Sequence, residues 1–586
     1  MAEDELQAAA EALKRGDLLK AQDLASAALA RSPESPELQY IRILALARMG
    51  SSRAALEQYR ASDLAHSGTV EHRVLLGRLL KDMAAKAPAD TRRAAFAAAA
   101  EAYRTVYEES GDPFPGINAA SLALLAGNRQ AAERTARDLL GCESVARPAD
   151  YFAAATKAEA HLITGDIQAA GAAIRSGLAL PGSDDGARSS TLRQFRLLLD
   201  TMPRADGDPA ALLDMLRPSP VVTYCGHMFR HDRGSEARLA SAIEEALQKL
   251  GAKAAYGSLA CGSDIMVAEA ILRRGGELNV VLPFDDESFI ARSILPGGEA
   301  WLARFERCRK MASSLTYASV SEYVRDRGQF RFGLLLAMGL TRLRAAPLGA
   351  EAVQLAVWDG KSPDADAGTS AEVRHWRQSG ARTIIVEPGS IDRNCGQRRS
   401  SNDASPQRAL RAIVFADFAG FSQLRESVLP TFSAEVLGRV ASVLARFEEN
   451  ICARNTWGDG VFVILKSATA AAALAADLQS ALRFVDPAAL GAEGTGMRIS
   501  AHFGPVYEAQ DPVTGSATFF GREVTCAARI EPVTPIGGVY VTQPLAAMLA
   551  MEAPDRFDLC YVGRLDLAKG YGNMPLYGLE RNAPTP

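Results

Sequence analysis

The sequence predicts a multidomain chain in three parts: an all-α helical solenoid, an α/β region built on a parallel sheet, and a C-terminal region of strands, hairpins and helices. Three observations predict this order. A Gly-to-Ala spacing recurs through an Ala- and Leu-rich N-terminal third. Apolar, strand-like runs then alternate with helical patterns. Last, two aspartates stand at a strand end and at a Gly-Asp-Gly turn.

Composition bounds the reading. At about 150 residues per domain, 586 residues predict three or four domains. A hydrophobic share of 48% and a charged share of 23% are those of an ordinary globular protein, and a chain this long buries several cores without disulfides or structural metals. Lys and Arg number 65 against 69 Asp and Glu, for a net charge of −4, which argues against a broad phosphate-binding face and against nucleic acid as the main partner. No uncharged apolar run reaches the roughly 18 residues of a membrane span, so no membrane partner is expected. The acidic start, Glu3-Asp4-Glu5, lacks the apolar core of a secretory signal, and the expected location is cytoplasmic. Eight cysteines stand singly, with no CxxC pair, and read as reduced, buried thiols.

In residues 1–210, Gly16 is followed by Ala21, Gly50 by Ala55, Gly127 by Ala132 and Gly165 by Ala170. Each Gly sits between two helical patterns, where it permits a tight connection, and the small Ala lets the helices approach. Gly16 to Gly50 is 34 residues, the tetratricopeptide spacing, whereas Gly127 to Gly165 is 38. The region resembles irregular tetratricopeptide repeats, which implies a protein partner for the solenoid or packing on a neighbouring domain. A plain helical scaffold explains the same pattern.

Residues 217–388 change character. Val221-Val222-Thr223-Tyr224 runs into Cys225-Gly226-His227, and a helical pattern spans Glu236 to Leu250. Ala254 to Gly257 leads to Cys261-Gly262-Ser263-Asp264 and a further helix. Leu278 to Pro283, Gln354 to Gly360 and Thr383 to Val386 are further strands. In such folds ligands sit at the carboxyl ends of strands, where Gly-rich turns feed helices. Gly226, Gly262 and Asp264 are therefore the candidate ligand residues. The pattern resembles the Rossmann-like SLOG superfamily, which implies a nucleotide-derived ligand that is sensed or cleaved. Close packing of each Gly on a strand accounts for the turns equally well. His227 and His231 read as polar surface residues near a loop. Residues 389–408 lack apolar periodicity and read as a linker.

Residues 409–581 begin with a strand, Leu410 to Asp417, and a Gly turn, Phe418-Ala419-Gly420-Phe421-Ser422. A helical pattern runs from about Thr431 to Ala453. Asn455-Thr456-Trp457-Gly458-Asp459-Gly460 and Val461 to Leu465 then read as a hairpin. Asp417 and Asp459 fall on neighbouring strands, where they would repel unless Mg²⁺ ions are shared between them. Phe519 to Ile530 reads as a helix that puts Thr525 and Arg529 on one face, and a last hairpin contains Asp566-Leu567-Ala568-Lys569-Gly570.

These stretches, in this order, resemble the class III adenylyl/guanylyl cyclase catalytic domain. The resemblance implies an α+β ferredoxin-like fold that works as a homodimer on a nucleoside triphosphate. It assigns two Mg²⁺ or Mn²⁺ ions per active site to Asp417 and Asp459. It places Asn455, Thr518, Thr525 and Arg529 in the partner protomer's half of the site, with Arg529 and Thr525 catalytic. It makes Asn455 and Thr518 substrate-binding, with Phe418, Gly420, Phe421 and Lys569. Arg529 would stabilise charge on the α-phosphate as the ribose 3′-OH attacks.

Three positions depart from the family. Asn455 stands where Lys is usual and Thr518 where an acid is common, so base selectivity is open. ATP is the first expectation, and a pyrimidine triphosphate, as in bacterial antiphage signalling, is the rival. Thr525 replaces Asn, a change expected to slow turnover by about 1.4–2.7 kcal/mol of transition-state stabilisation without abolishing it. The expected function is a nucleotidyl cyclase regulated by upstream sensor domains. The alternative is a non-catalytic nucleotide-sensing tetratricopeptide scaffold, which has little need for two intact metal acids. A nucleotide hydrolase in the middle region is a third reading, weakened by the lack of an acid–base constellation in its sequence.

Overall fold

The computed structural model describes residues 2–202, 208–319, 321–361, 368–393, 395, 408–482 and 496–581. The chain divides into two compact units. One comprises Met1–Pro218 with Ala346–Ala350, and the other Ser219–Ala345 with Glu351–Pro586. The predicted middle and C-terminal domains thus share a unit. Most of the predicted linker, residues 394 and 396–407, lies outside the described residues.

The first unit is built from helical hairpins. Ala2–Arg15 pairs with Leu18–Leu29, Pro36–Arg48 with Ser52–Arg60, Pro113–Leu125 with Arg129–Gly141, and Tyr151–Ile163 with Ile167–Gly177. One turn chemistry closes all four. Gly16, Gly50, Gly127 and Gly165 take φ of +76°, +90°, +94° and +92°. Each turn satisfies the same two carbonyls: Gly16 N–H donates to Leu13 O and Asp17 N–H to Ala12 O, and the other three repeat the pattern. Asp17, Asn128 and Asp166 then cap the following helix by accepting a backbone N–H. Ala21, Ala55, Ala132 and Ala170 are fully buried at the crossings. The Gly-to-Ala spacing does not reveal the longer pair Val70–Lys86 and Ala89–Ser110, which pack through Gly77 under the Tyr103 ring.

In the second unit, the described residues form a six-stranded sheet of β1 (Val221–Gly226), β2 (Ala254–Gly257), β3 (Glu277–Leu282), β4 (Ser314–Tyr317), β5 (Ala352–Val357) and β6 (Thr383–Val386). Its order is β4-β3-β2-β1-β5-β6 and every pairing is parallel. The order reverses at β1, so a crevice opens at the carboxyl ends of β1 and β5. β4 went unpredicted because this short edge strand carries no apolar run. Strand β5 stops at Val357, and Trp358-Asp359-Gly360 form the loop instead.

The second sheet contains β7 (Arg408–Ala419), β8 (Ile451–Trp457), β9 (Gly460–Leu465), β10 (Gly496–Gln510), β11 (Ala517–Phe520), β12 (Val539–Thr542), β13 (Phe557–Asp566) and β14 (Asn573–Arg581). The order is β13-β14-β12-β10-β7-β9-β8, with β11 on β10. The β10–β12 pairing is parallel and the others are antiparallel, so the sheet is mixed. Two sequence expectations need correction. The helical pattern predicted to Ala453 ends at Ala445, and Ile451 to Ala453 join β8, because pairing with β9 outweighs helix continuation. Phe519 and Phe520 belong to β11, where Phe520 stacks on Tyr507 at 5.4 Å, and the helix Arg522–Ile530 starts only after Gly521 at φ +134°.

Among the described residues, the stretch Glu426–Ala445 is long and apolar enough to cross a membrane, with mean hydropathy 1.3. It is broken by a π turn at Ser433–Leu437, and its Phe432, Val436, Val440 and Val443 are buried in the protein. Within this unit the helix Arg327–Leu348 seats on the second sheet's helix Gln543–Glu552. A Cβ added at Gly339 would lie 2.4 Å from the Ala547 carbonyl oxygen. Phe332 meets Phe503, and Arg408 donates to Asp326 at 3.0 Å with both side chains buried.

Candidate functional site

Register brings two acids together. Ala416 on β7 pairs with Val461 on β9, so the Gly458-Asp459 turn falls beside Asp417. Gly458 takes φ +64°, which lets the turn close in two residues. The Asp417 and Asp459 carboxyl groups lie within hydrogen-bonding contact. Burial first, then the charge of Asp417, raises the Asp459 carboxyl, with Arg498 opposing.

Two further residues complete this cluster. Arg498 stands directly across from Asp417 in the β7–β10 pairing and donates from Nη2 to Asp417 Oδ2 at 2.7 Å. The same nitrogen lies 2.7 Å from Glu531 Oε1. Burial, and then the charges of Asp417 and Asp459, push Glu531 up to about 7 against the pull of Arg498. Neither residue was a sequence candidate, since only the strand register reveals the pairing.

Among the described residues no group of three or more His, Cys, Asp or Glu side chains is arranged to hold a metal. The donor set is thus two carboxylates, Asp417 and Asp459, with the Asp417 side chain 30% exposed. Hard oxygen donors that repel each other and remain open to solvent suit Mg²⁺ or Mn²⁺.

Gly420 takes φ +86° and opens a short 3₁₀ turn, Phe421–Gln423. Phe418 is buried against Phe432, with ring centroids 5.1 Å apart, so it fills the core under the turn. Phe421 also packs on Phe432, with ring centroids 4.9 Å apart, and lies beside Gly458, tying the Gly420 turn to the turn that carries Asp459.

The remaining candidates lie elsewhere on the second sheet. Asn455 is exposed on β8, and its Oδ1 accepts the Thr456 N–H at 2.8 Å. Thr518 sits on β11 opposite Ala509. Thr525 and Arg529 share the helix Arg522–Ile530, with Thr525 exposed. Lys569 is exposed at the tip of the β13–β14 hairpin with φ +60°, and the neighbouring Tyr571 hydroxyl donates to Arg522 O at 3.0 Å. Among the described residues no hydrogen bond or ion pair joins Thr525 or Arg529 to the acid pair.

A buried clamp holds that helix. His502 on β10 shares hydrogen bonds of 2.8 Å with Glu523 on the helix and 2.8 Å with Thr542. The His502 and Glu523 side chains are only 2% and 10% exposed. Gly504 makes room, since a Cβ there would lie 2.8 Å from Glu523 Cγ. Ser500 adds a hydrogen bond to Ala527 O at 3.1 Å.

In the parallel sheet, Gly226, Gly262 and Asp264 do come together. A Cβ on Gly226 would lie 2.3 Å from that of Ser263, and Gly262, at φ +93°, abuts Phe229. Asp264 is buried below, with Oδ2 accepting the Ala260 N–H at 3.4 Å and Oδ1 unpartnered. Burial, then Glu372, raises its carboxyl well above the usual range. Burial alone pushes Glu372 up to about 7. His227 is no surface residue. It bonds Asp359 at 3.1 Å, and Arg393 donates to the same carboxylate at 2.9 Å. Burial opposes ionisation of Asp359, but hydrogen bonds from Arg393, the Lys361 N–H and His227 outweigh it and set it at about 2. Burial, then Arg393, lowers His227. His231 pairs with Glu236. Of the free cysteines, buried Cys261 and Cys395 are brought into thiol contact.

A profile of the tetratricopeptide-repeat sensor family, described as Tetratricopeptide Repeats-Sensor, matches residues 17–123. No curated protein matches the chain. Solved structures similar to part of it include the guanylate cyclase domain of RhGC from Catenaria anguillulae in complex with GTP, at 17% identity, 30% of this chain, 98% of that chain and a TM-score of 0.26. The adenylyl cyclase CyaB from P. aeruginosa is similar at 17% identity, covering 30% of this chain and 97% of that chain, with a TM-score of 0.27. An adenylate cyclase from Trypanosoma brucei, in its monomeric state, matches at 23% identity, 29% of this chain, 89% of that chain and a TM-score of 0.26.

Proposed function

We propose that residues 409–581 form a nucleotidyl cyclase domain, a reading carried by the closeness of Asp417, on β7, to Asp459 in the Gly458-Asp459 turn. Two carboxylates held this close are chemically suited to divalent cations, and the motifs around them resemble class III cyclases. Mg²⁺ or Mn²⁺ held by Asp417 and Asp459 would supply Lewis-acid polarisation of the triphosphate and of the ribose 3′-hydroxyl.

The chain's own residues do the rest. Arg498 fixes one Asp417 oxygen. The left-handed turn at Gly420 brings backbone N–H groups to the triphosphate. Arg529 presents a planar guanidinium to the α-phosphate as charge develops there, and Thr525 orients the ribose. The 3′-hydroxyl gives its proton to solvent, its oxygen bonds to the α-phosphorus as the bond from that phosphorus to pyrophosphate breaks, and a 3′,5′-cyclic nucleotide remains. Asn455 and Thr518 meet the base edge, and Lys569 the β- and γ-phosphates. Among the described residues no hydrogen bond or ion pair joins Thr525 or Arg529 to the acids, and a homodimer whose partner completes each site would bring them together.

ATP is the first substrate expected, with a pyrimidine triphosphate the rival. The parallel-sheet domain, Rossmann-like and similar to SLOG proteins, would take a nucleotide-derived ligand at Gly226, Gly262 and Asp264. The helical repeats would act with it as a sensor in the cytoplasm.

Purified protein with Mg²⁺ or Mn²⁺ and each of the four nucleoside triphosphates should yield one cyclic nucleotide. No cyclic product from any of them removes the cyclase reading. Asp417→Ala and Arg529→Ala should each be inactive alone, while an equal mixture regains activity through one intact site per heterodimer.

A further inference from the structure

One helix of the second unit packs on both of its sheets. Along Arg327–Leu348, at about 100° per residue, Phe330 and Gly333 fall on one face, and Phe332, Gly339 and Arg342 on the opposite one. The first face meets the rim at the carboxyl ends of the parallel strands. A Cβ on Gly333 would lie 3.1 Å from the Cα of Pro283, the residue after β3. Phe330 and Tyr323 close on Phe284, with ring centroids 5.0 and 5.2 Å from it. The second face meets the mixed sheet through Phe332 on Phe503, Gly339 on Ala547, and Arg342, which donates to Ala550 O at 3.4 Å.

That second face leads on to the clamp behind Arg529. Phe503 follows His502 on β10, and Ala547 lies on the helix Gln543–Glu552, whose N-cap is Thr542. His502 and Thr542 bond each other at 2.8 Å, and His502 bonds Glu523 at the start of the Arg529 helix. The N-terminal end of Arg327–Leu348 is tied instead to the strand that carries Asp417. Asp326 accepts from Arg408, the first residue of β7, at 3.0 Å and from the Gly328 N–H at 2.8 Å. Arg408 also lies over its register partner Tyr507 on β10, 5.6 Å from the ring centroid. The Asp326 and Arg408 side chains are 5% and 8% exposed, yet Arg408 Nη2 is buried without a hydrogen-bond partner. Next to this joint Arg325 takes φ +56°, a conformation disfavoured for a residue with a Cβ. Buried Gln329 fastens the same loop, accepting from the Val324 N–H at 3.0 Å and donating to Glu322 O at 3.1 Å.

We propose that the helix Arg327–Leu348 is a coupling element, which transmits a change at the carboxyl-end rim of the parallel sheet to the Arg529 helix and to β7. The proposal rests on the cyclase reading for its output only, since the contacts hold whatever the second sheet catalyses. Packed helices shift as bodies rather than deform, so a displacement on one face is answered on the other. Neither contact has slack: a Cβ on Gly339 would lie 2.4 Å from Ala547 O, and one on Gly333 meets Pro283. The strained Arg325 and the incompletely bonded Arg408 mark the end of the helix where a second arrangement is most accessible. A ligand seated on the rim would set turnover by favouring one position of the helix over the other.

The test compares variants of the full chain by two readouts, cyclic nucleotide formation and amide hydrogen exchange in the Arg522–Ile530 helix. Phe330→Ala trims the rim face, and Asp326→Asn weakens the joint. Each should lower kcat at least about fivefold with KM little changed, and speed exchange in Arg522–Ile530 at least about tenfold. Ile243→Ala, in the core under the helix Arg233–Leu250 and outside this chain of contacts, should leave both readouts unchanged. Unaltered exchange in Phe330→Ala or Asp326→Asn overturns the proposal, as does an equal response in Ile243→Ala. Should either variant fail to fold, Phe330→Leu decides by the same readouts. A wild-type chain that forms no cyclic nucleotide removes the cyclase reading alone, and hydrogen exchange then decides the coupling by itself.

Discussion

The chain gathers like charges twice, with opposite signs. In the second sheet, Asp417, Asp459 and Glu531 surround the single Arg498. In the helical unit, Arg48, Arg78, Lys81 and Arg193 lie among Asp82, Glu159 and Asp184. A net charge of −4 over 586 residues conceals both imbalances. The difference lies in how each is eased. The acids keep Arg498 and an opening to solvent, whereas Arg48, Lys81 and Arg193 donate to neutral amides and carbonyls and Arg78 pairs with Asp82. Local charge, set by packing, is thus a better guide to a ligand than the sum over the chain.

The largest effect expected on the acid side is Asp459→Ala. Cyclic nucleotide formation should fall at least about a thousandfold, with circular dichroism unchanged. Retained turnover would show that the acid pair is not a metal centre.

A smaller loss is expected at the clamp behind the site. Glu523→Gln removes the charge that faces His502 and loosens the Arg529 helix. Steady-state kinetics should show kcat lowered about tenfold with KM little changed, and Glu523→Asp should recover part of it.

On the cation side the sign reverses, and the change is smallest. Lys81 is held below its ordinary value, at about 8. The unfolded chain therefore binds the extra proton between roughly pH 8 and 10.5, and stability should rise with pH across that window. Lys81→Met should flatten the rise and lift the melting temperature of the protein at pH 7 by about 3 °C. A fall in melting temperature at pH 7 would mean that the cations are already compensated.

Much of the fold is legible in local chemistry. The Gly16, Gly50, Gly127 and Gly165 turns follow from glycine's access to positive φ, and the buried Ala residues follow from the crossings those turns impose. The acid pair is legible because a strand end and a two-residue turn are short-range features. The helix predicted through Ala453 fails because Ile451 to Trp457 gain a strand partner only when the chain is folded. β4 is missed for a related reason: Ser314 to Tyr317 acquires its role from β3, not from its own pattern.

Side chains that meet across the fold are another matter. Arg498 faces Asp417 through strand register, and His227 meets Asp359 across 132 residues. Cys261 and Cys395 stand apart in sequence yet touch. By itself the sequence determined the turns, the caps, the apolar faces and the pair of acids, because each depends on a few consecutive residues. The tertiary structure alone decided which charges share a neighbourhood, because that depends on packing and register between distant segments, and with it whether a carboxyl or an ammonium group is left needing a partner.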